Sequence, residues 1–148
     1  MPNSLYFCDS NIWLYRFLSD PDSDRAEEIQ KHDIATNLTS AENILVSNQV
    51  INEVCAVLLR KAKVSEIQIR QIIQEFYQGC IVIEIDYNII VTASDLRMNY
   101  NLSFWDSVIV ASALSGGANT LYSEDMQDGL IIFQQLTIIN PFKAEKLD

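Results

Sequence analysis

The chain has 148 residues, 49% of them hydrophobic and 20% charged, which suits one folded domain (1–148) with one core and excludes a disordered polymer. No apolar run approaches the ~20 residues needed to span a membrane, and Met1-Pro2-Asn3-Ser4 lacks the basic opening of a secretory signal, so a cytoplasmic protein with no membrane contact is expected. Twenty acids against ten bases leave a net charge of −10, which opposes binding to a phosphate backbone except where bases gather.

In chain order, residues 5–8 form a short apolar run expected to be a buried strand, and 11–18 look helical. Asp20-Pro21-Asp22-Ser23 marks a break, followed by an acidic helix over 24–37. Residues 44–46 read as a second strand, after which Ser47 or Asn48 can cap a helix running to about residue 61. Ser65-Glu66-Ile67-Gln68 has the form of a capping box that opens a helix to about residue 78. The β-branched run 80–85 predicts a third strand, and a helix is expected over 86–99. Ser103-Phe104-Trp105-Asp106 repeats the capping pattern before a helix that ends at Gly116-Gly117. Residues 120–123 and 136–139 are the last expected strands, and 143–148 a loose tail. Strands alternating with helices predict an α/β sandwich with a mostly parallel sheet.

Four acids then fall at related places. Asp9 directly follows the first strand and Asp125 follows the strand at 120–123. Glu53 lies early in the helix after the second strand, and Asp106 in the first turn of the helix opened by Ser103. In a parallel sheet, strand carboxyl ends and the following helix amino ends share one edge, where ligands bind. The helix after Asp106 is apolar nearly all round and is expected to be buried. Four convergent carboxylates repel one another, and a divalent cation relieves that repulsion; oxygen-only ligands favour Mg²⁺ or Mn²⁺ over Zn²⁺. Such a site suits phosphodiester hydrolysis. Arg60, Lys61, Lys63 and Arg70 crowd one stretch and supply possible contacts to the nucleic-acid backbone.

Each acid also has a plainer reading: Asp9 as a helix cap, Glu53 as a solvated edge residue, Asp106 as part of a capping box, Asp125 as a turn residue. His32 is the only histidine and is expected at the surface, which weighs against Ser-His or Cys-His nucleophiles. Cys8, Cys55 and Cys80 lie in apolar segments and are expected to be buried thiols, neither a disulfide frame nor a zinc site. Trp13, Phe104 and Trp105 are expected to pack in the core. There is no Gly-rich phosphate loop.

The motifs carrying these acids resemble those of the PIN-domain ribonucleases, especially the toxins of VapC-type toxin–antitoxin pairs. Leu5-Tyr6-Phe7-Cys8-Asp9-Ser10-Asn11-Ile12 resembles the family's strand followed by Asp-x-Asn. Val46-Ser47-Asn48-Gln49-Val50-Ile51-Asn52-Glu53 resembles its helix-borne Glu motif. Phe104-Trp105-Asp106-Ser107-Val108-Ile109-Val110-Ala111 resembles the third acidic motif, and Leu121-Tyr122-Ser123-Glu124-Asp125-Met126-Gln127-Asp128-Gly129 the last. The set is ordered and spans the chain to about Phe142. The resemblance implies a three-layer α/β/α fold and metal-dependent cleavage of single-stranded RNA. It assigns Asp9, Glu53, Asp106 and Asp125 as catalytic and metal-binding acids, with Asn11 and Ser123 in support; Asp128 is expected as a further supporting acid from its proximity in sequence alone. It also implies a homodimer and an antitoxin partner whose tail fills a groove. Two other readings stay open: a non-catalytic interaction module, and a phosphotransfer or receiver-like domain with Asp9 as acceptor.

Overall fold

In the computed structural model, residues 4–18 and 25–143 are described; the expected break at 20–23, the first residue of the expected acidic helix and the expected tail beyond 143 lie outside them. The element order is β1 (Tyr6–Cys8), α1 (Ser10–Phe17), α2 (Ala26–Thr39), β2 (Ile44–Ser47), α3 (Asn48–Val57), α4 (Glu66–Gly79), β3 (Ile81–Ile83), α5 (Tyr87–Asn99), α6 (Phe104–Ser115), β4 (Thr120–Tyr122), β5 (Ile131–Ile132) and β6 (Leu136–Ile139). A π-helical turn over Leu58–Ala62 extends α3 and ends where Lys63 turns left-handed at φ 55°. The fold is a three-layer α/β/α sandwich around a mostly parallel sheet.

The strand order is β3-β2-β1-β4-β6-β5. β1 pairs in parallel with both β2 and β4, and β5 is antiparallel to β6. The chain steps from β1 outward to β2 and β3 through α1–α4. It then returns past β1 to β4 through α5 and α6. Right-handed crossovers place the outward and return helices on opposite faces. The reversal of direction leaves a crevice between the carboxyl ends of β1 and β4, the place where open α/β sheets bind ligands. Asp9 begins the loop out of β1, and Ser123, Glu124 and Asp125 begin the loop out of β4.

Local chemistry explains most element boundaries. Asp9 caps α1 through Ser10 N–H, Ser47 caps α3 through Val50 N–H, and Asp86 caps α5 through Ile89 N–H. Ser65 and Gln68 form the full reciprocal capping box at α4. The core joins the sheet residues Phe7, Leu45, Val46, Leu121 and Ile138 to Ile12, Val50, Val54, Leu96 and Val110 of the helices, all fully buried. α6 is buried from Ser107 to Ala113, as its unbroken apolar sequence requires.

β5 is absent from the sequence expectation. Its hairpin to β6 turns at Phe133 and Gln134, both left-handed at φ 49° and 58°, without the glycine or asparagine that usually announces such a turn. Phe133 is held by its ring packing on Tyr100 and by Tyr100 Oη accepting from its N–H. Gln134 is exposed and no such contact offsets its left-handed backbone. Gln134→Gly should therefore raise stability by about 1 kcal/mol, readable as a shifted denaturation midpoint with unchanged slope; a lower midpoint would show that the turn is not strained.

Candidate active site

Asp9 stands at the centre of the crevice and is only 4% exposed. Ser10 N–H donates to its Oδ1 (2.7 Å) and the buried Ser123 hydroxyl to its Oδ2 (2.8 Å). Asn11 links the two loops: its Nδ2 donates to Asp125 Oδ2 (3.2 Å) and, at longer range, to Asp9 Oδ2 (3.5 Å), while its Oδ1 accepts from Glu124 N–H (3.3 Å). One Asn thus ties the β1 exit to the β4 exit, with Asp9 and Asp125 on its amide. Glu53, one and a half turns into α3, is half-buried and accepts from Gln49 Nε2 (3.0 Å). Asp106 lies half-buried in the first turn of α6, its N–H donating to Ser103 Oγ (3.1 Å).

Two of the four acids are held above the usual carboxylate range, each partly by the charges of others in the set. Burial, opposed by the bonds from Ser123 and Ser10 and reinforced by the charges of Asp106 and Glu53, pushes Asp9 up to about 6. Asp106 is also raised: burial dominates, the Ser103 hydroxyl pulls the other way, and the charges of Asp125 and Glu53 add to the rise. These side chains, from β1, α3, α6 and the β4 loop, therefore share one electrostatic pocket. Among the described residues, however, no three Asp, Glu, His or Cys side chains converge closely enough to hold an ion as they stand. The donor set nevertheless fits a hard divalent cation: it is all carboxylate oxygen, and its repulsion is what such a cation cancels.

The remaining expected site residues fall in several places. Asp128 accepts from Asn140 N–H (2.8 Å), and so anchors the β4 loop to the end of β6. Lys61 lines a cavity of about 370 Å³ with Asn11 and Glu124, while Arg60, Lys63 and Arg70 are exposed nearby in the chain on the π-helical turn and α4. Sequence reading missed a second charged group beside the crevice. Lys31 of α2 pairs with Glu124 (2.7 Å), and Tyr15 Oη donates to the same carboxylate (2.6 Å). The ammonium also lies over the Tyr15 and Phe142 rings, and its bond to Glu124 raises its pKa. Lys31 neutralises Glu124, and among the described residues the four clustered acids have no ion pair of their own. The signal was weak, because α2 shows no clear amphipathic pattern to orient Lys31.

Phe104 and Trp105 correct the expectation of core packing: they are 55% and 63% exposed, whereas Trp13 is buried at 3%. Both rings lie on the first turn of α6, ahead of the stretch Ser107–Ala113 that is buried. Cys8 and Cys55 are buried and Cys80 half-buried. His32 is half-buried, with Nδ1 at 3.2 Å from Tyr15 O.

The model of the PIN domain family matches residues 6–127, which contain all four acids. No curated protein sequence matches the chain. Among solved structures, the chain is similar to a toxin–antitoxin complex from Klebsiella pneumoniae, with 20% identity, a TM-score of 0.62, and 93% of this chain and 98% of that one covered. It is similar to VapBC2 from Rickettsia felis bound to a promoter DNA fragment, with 18% identity, a TM-score of 0.60, and coverage of 90% and 96%. It is also similar to the Mycobacterium tuberculosis toxin VapC20, described as cleaving the sarcin–ricin loop, with 18% identity, a TM-score of 0.59, and coverage of 81% and 89%.

Because Asp9 holds its proton to about pH 6 in the fold but only to ~3.9 in an unfolded chain, the folded state binds more protons between those values. Stability from this group falls as pH rises from ~4 to ~6 and is flat above. In chelator, Asp9→Asn should remove that slope and stabilise the protein at pH 7 by up to about 3 kcal/mol, measured as melting temperature against pH. A mutant less stable than wild type at pH 7 would contradict the burial of an ionised Asp9.

Proposed function

The chain belongs to the PIN domain family, and from that premise we propose that it is a divalent-metal-dependent endoribonuclease acting as the toxin of a toxin–antitoxin pair. The observation that carries the reading is the gathering of charge at one crevice, where Asp106 and Glu53 oppose the ionisation of Asp9 and where Asp125 and Glu53 oppose that of Asp106. These four acids are the proposed ligands of Mg²⁺ or Mn²⁺. Bound there, the cation would supply Lewis-acid activation of water and neutralise charge growing on the phosphoryl group.

The chain's own residues prepare that site. Ser10 N–H and the Ser123 hydroxyl fix the Asp9 carboxylate in place. Asn11 holds Asp125 in register with Asp9. Gln49 steadies Glu53 on α3. Fixed carboxylates cost less to reorganise than mobile ones when charge moves during reaction. With Lys61 and its neighbours Arg60, Lys63 and Arg70 on one side, the acidic chain keeps a local source of positive charge for the RNA backbone. The similar structures include the toxin VapC20, a toxin–antitoxin complex and VapBC2, which supports an antitoxin partner. The cavity lined by Leu14, Leu18 and Val57, with Lys61, Glu28 and Glu124 also at its wall, offers an apolar floor with charged groups of both signs for its tail. A homodimer is proposed with it on the resemblance alone.

The purified protein should cut a mixed structured-RNA pool at discrete positions with Mn²⁺ or Mg²⁺ and not with chelator. Asp9→Asn should slow cleavage on the order of 10²-fold or more while remaining folded, with Glu53→Gln, Asp106→Asn and Asp125→Asn changing it in the same direction. Identical cleavage by wild type and Asp9→Asn would end the assignment of Asp9. Metal-induced stabilisation without any cleavage would favour the non-catalytic interaction module.

A further inference from the structure

Phe104 and Trp105 sit on the helix turn that carries Asp106, yet more than half of each is exposed. Their rings meet edge to face at 5.2 Å. Arg97 places its guanidinium 4.4 Å from the centroid of the Phe104 ring, and its Nη1 donates to Ser107 Oγ (2.6 Å), so the cation is held on the aromatic face. These groups border a cavity of about 680 Å³ that reaches Glu53, Gln49 and Asn52. That volume lies within the ~300–1,000 Å³ range of small-ligand sites.

We infer that this cavity is a nucleobase subsite, in which an unpaired base next to the scissile phosphate stacks on Trp105 and is read by Gln49 and Asn52. The inference rests on the nuclease reading above. Exposed aromatics beside a cation form the stacking platform that single-stranded nucleic acid uses. Gln49 gives a second, independent pointer. Its Nε2 is committed to Glu53, while its Oε1 is buried without a hydrogen-bond partner among the described residues. A buried acceptor without a donor is costly, and a turn of the Gln49 amide toward the cavity would let an exocyclic base amine supply one. Asn52 is exposed on the same helix and offers both donor and acceptor to a base edge. A second copy of the chain is the competing occupant of an exposed aromatic face. The concave shape, the amide lining and the continuity with Glu53 favour a base.

Stacking on Trp105 should quench its fluorescence when a short single-stranded RNA is added, because Trp13 is buried and out of reach. In steady-state cleavage, Trp105→Ala should raise KM about 10-fold with kcat changed less than about 3-fold. Trp105→Phe, which keeps a ring, should recover most of the loss. Melting curves and sedimentation of each variant accompany the kinetics. If wild type cleaves RNA but Trp105→Ala and Phe104→Ala leave KM unchanged, the subsite is overturned and the nuclease reading stands. If Trp105→Ala instead dissociates a dimer and RNA causes no quenching, the face is a self-association surface. If wild type neither binds nor cleaves RNA, subsite and nuclease reading fall together.

Discussion

Repulsion between the buried Asp9 carboxylate and the half-buried Glu53 and Asp106 is the constraint on which this site depends. Asp9 is almost wholly excluded from water, and the charges of Asp106 and Glu53 oppose its ionisation. A fold ordinarily avoids this arrangement, since an uncompensated buried charge loses its hydration. Here the cost is partly offset by Ser10 N–H and the Ser123 hydroxyl, and the placement of Asp9 follows from the topology. The reversal of strand order at β1 and β4 opens the crevice, and the residue after β1 must stand in it. The core holds that geometry: Phe7 and Leu121, on the two strands flanking the crevice, pair in register and are fully buried.

Asn11 shows how few groups keep such a site in order. Its amide touches both Asp9 and Asp125, and its carbonyl receives Glu124 N–H. Glu124 in turn is held by Tyr15 and Lys31, so α1 and α2 both brace the loop after β4. The result is a chain of polar contacts from a half-buried ion pair to the buried carboxylate. Removing one member leaves its neighbours with unmet hydrogen bonds, and each such loss in a poorly hydrated place costs about 1–3 kcal/mol.

Much of this was legible in the sequence where local chemistry dominates. The Ser65 capping box, the apolar α6 and the β-branched run before Asp86 specify their elements through caps and periodicity alone. Asp9, Glu53, Asp106 and Asp125 were legible as a set because each follows a recognisable strand end or helix start. The unread features depend on tertiary placement. The β5–β6 turn uses Phe133 and Gln134, both left-handed, of which Phe133 is held by Tyr100 from a distant part of the chain. Lys31 gains its role only because α2 brings it to Glu124. Phe104 and Trp105 look like core residues in sequence and are exposed on the first turn of α6, ahead of its buried stretch.

The most direct measurement is calorimetric titration of Mn²⁺ into wild type and Asp9→Asn at pH 6 in buffers of different ionisation enthalpy. A shared carboxylate site requires saturable binding to wild type with net proton release, since Asp9 is partly protonated at that pH. Affinity should fall at least about 10-fold in Asp9→Asn, and the proton release should disappear. Equal affinity and equal proton release in the two proteins, or no binding at millimolar Mn²⁺, would contradict the site.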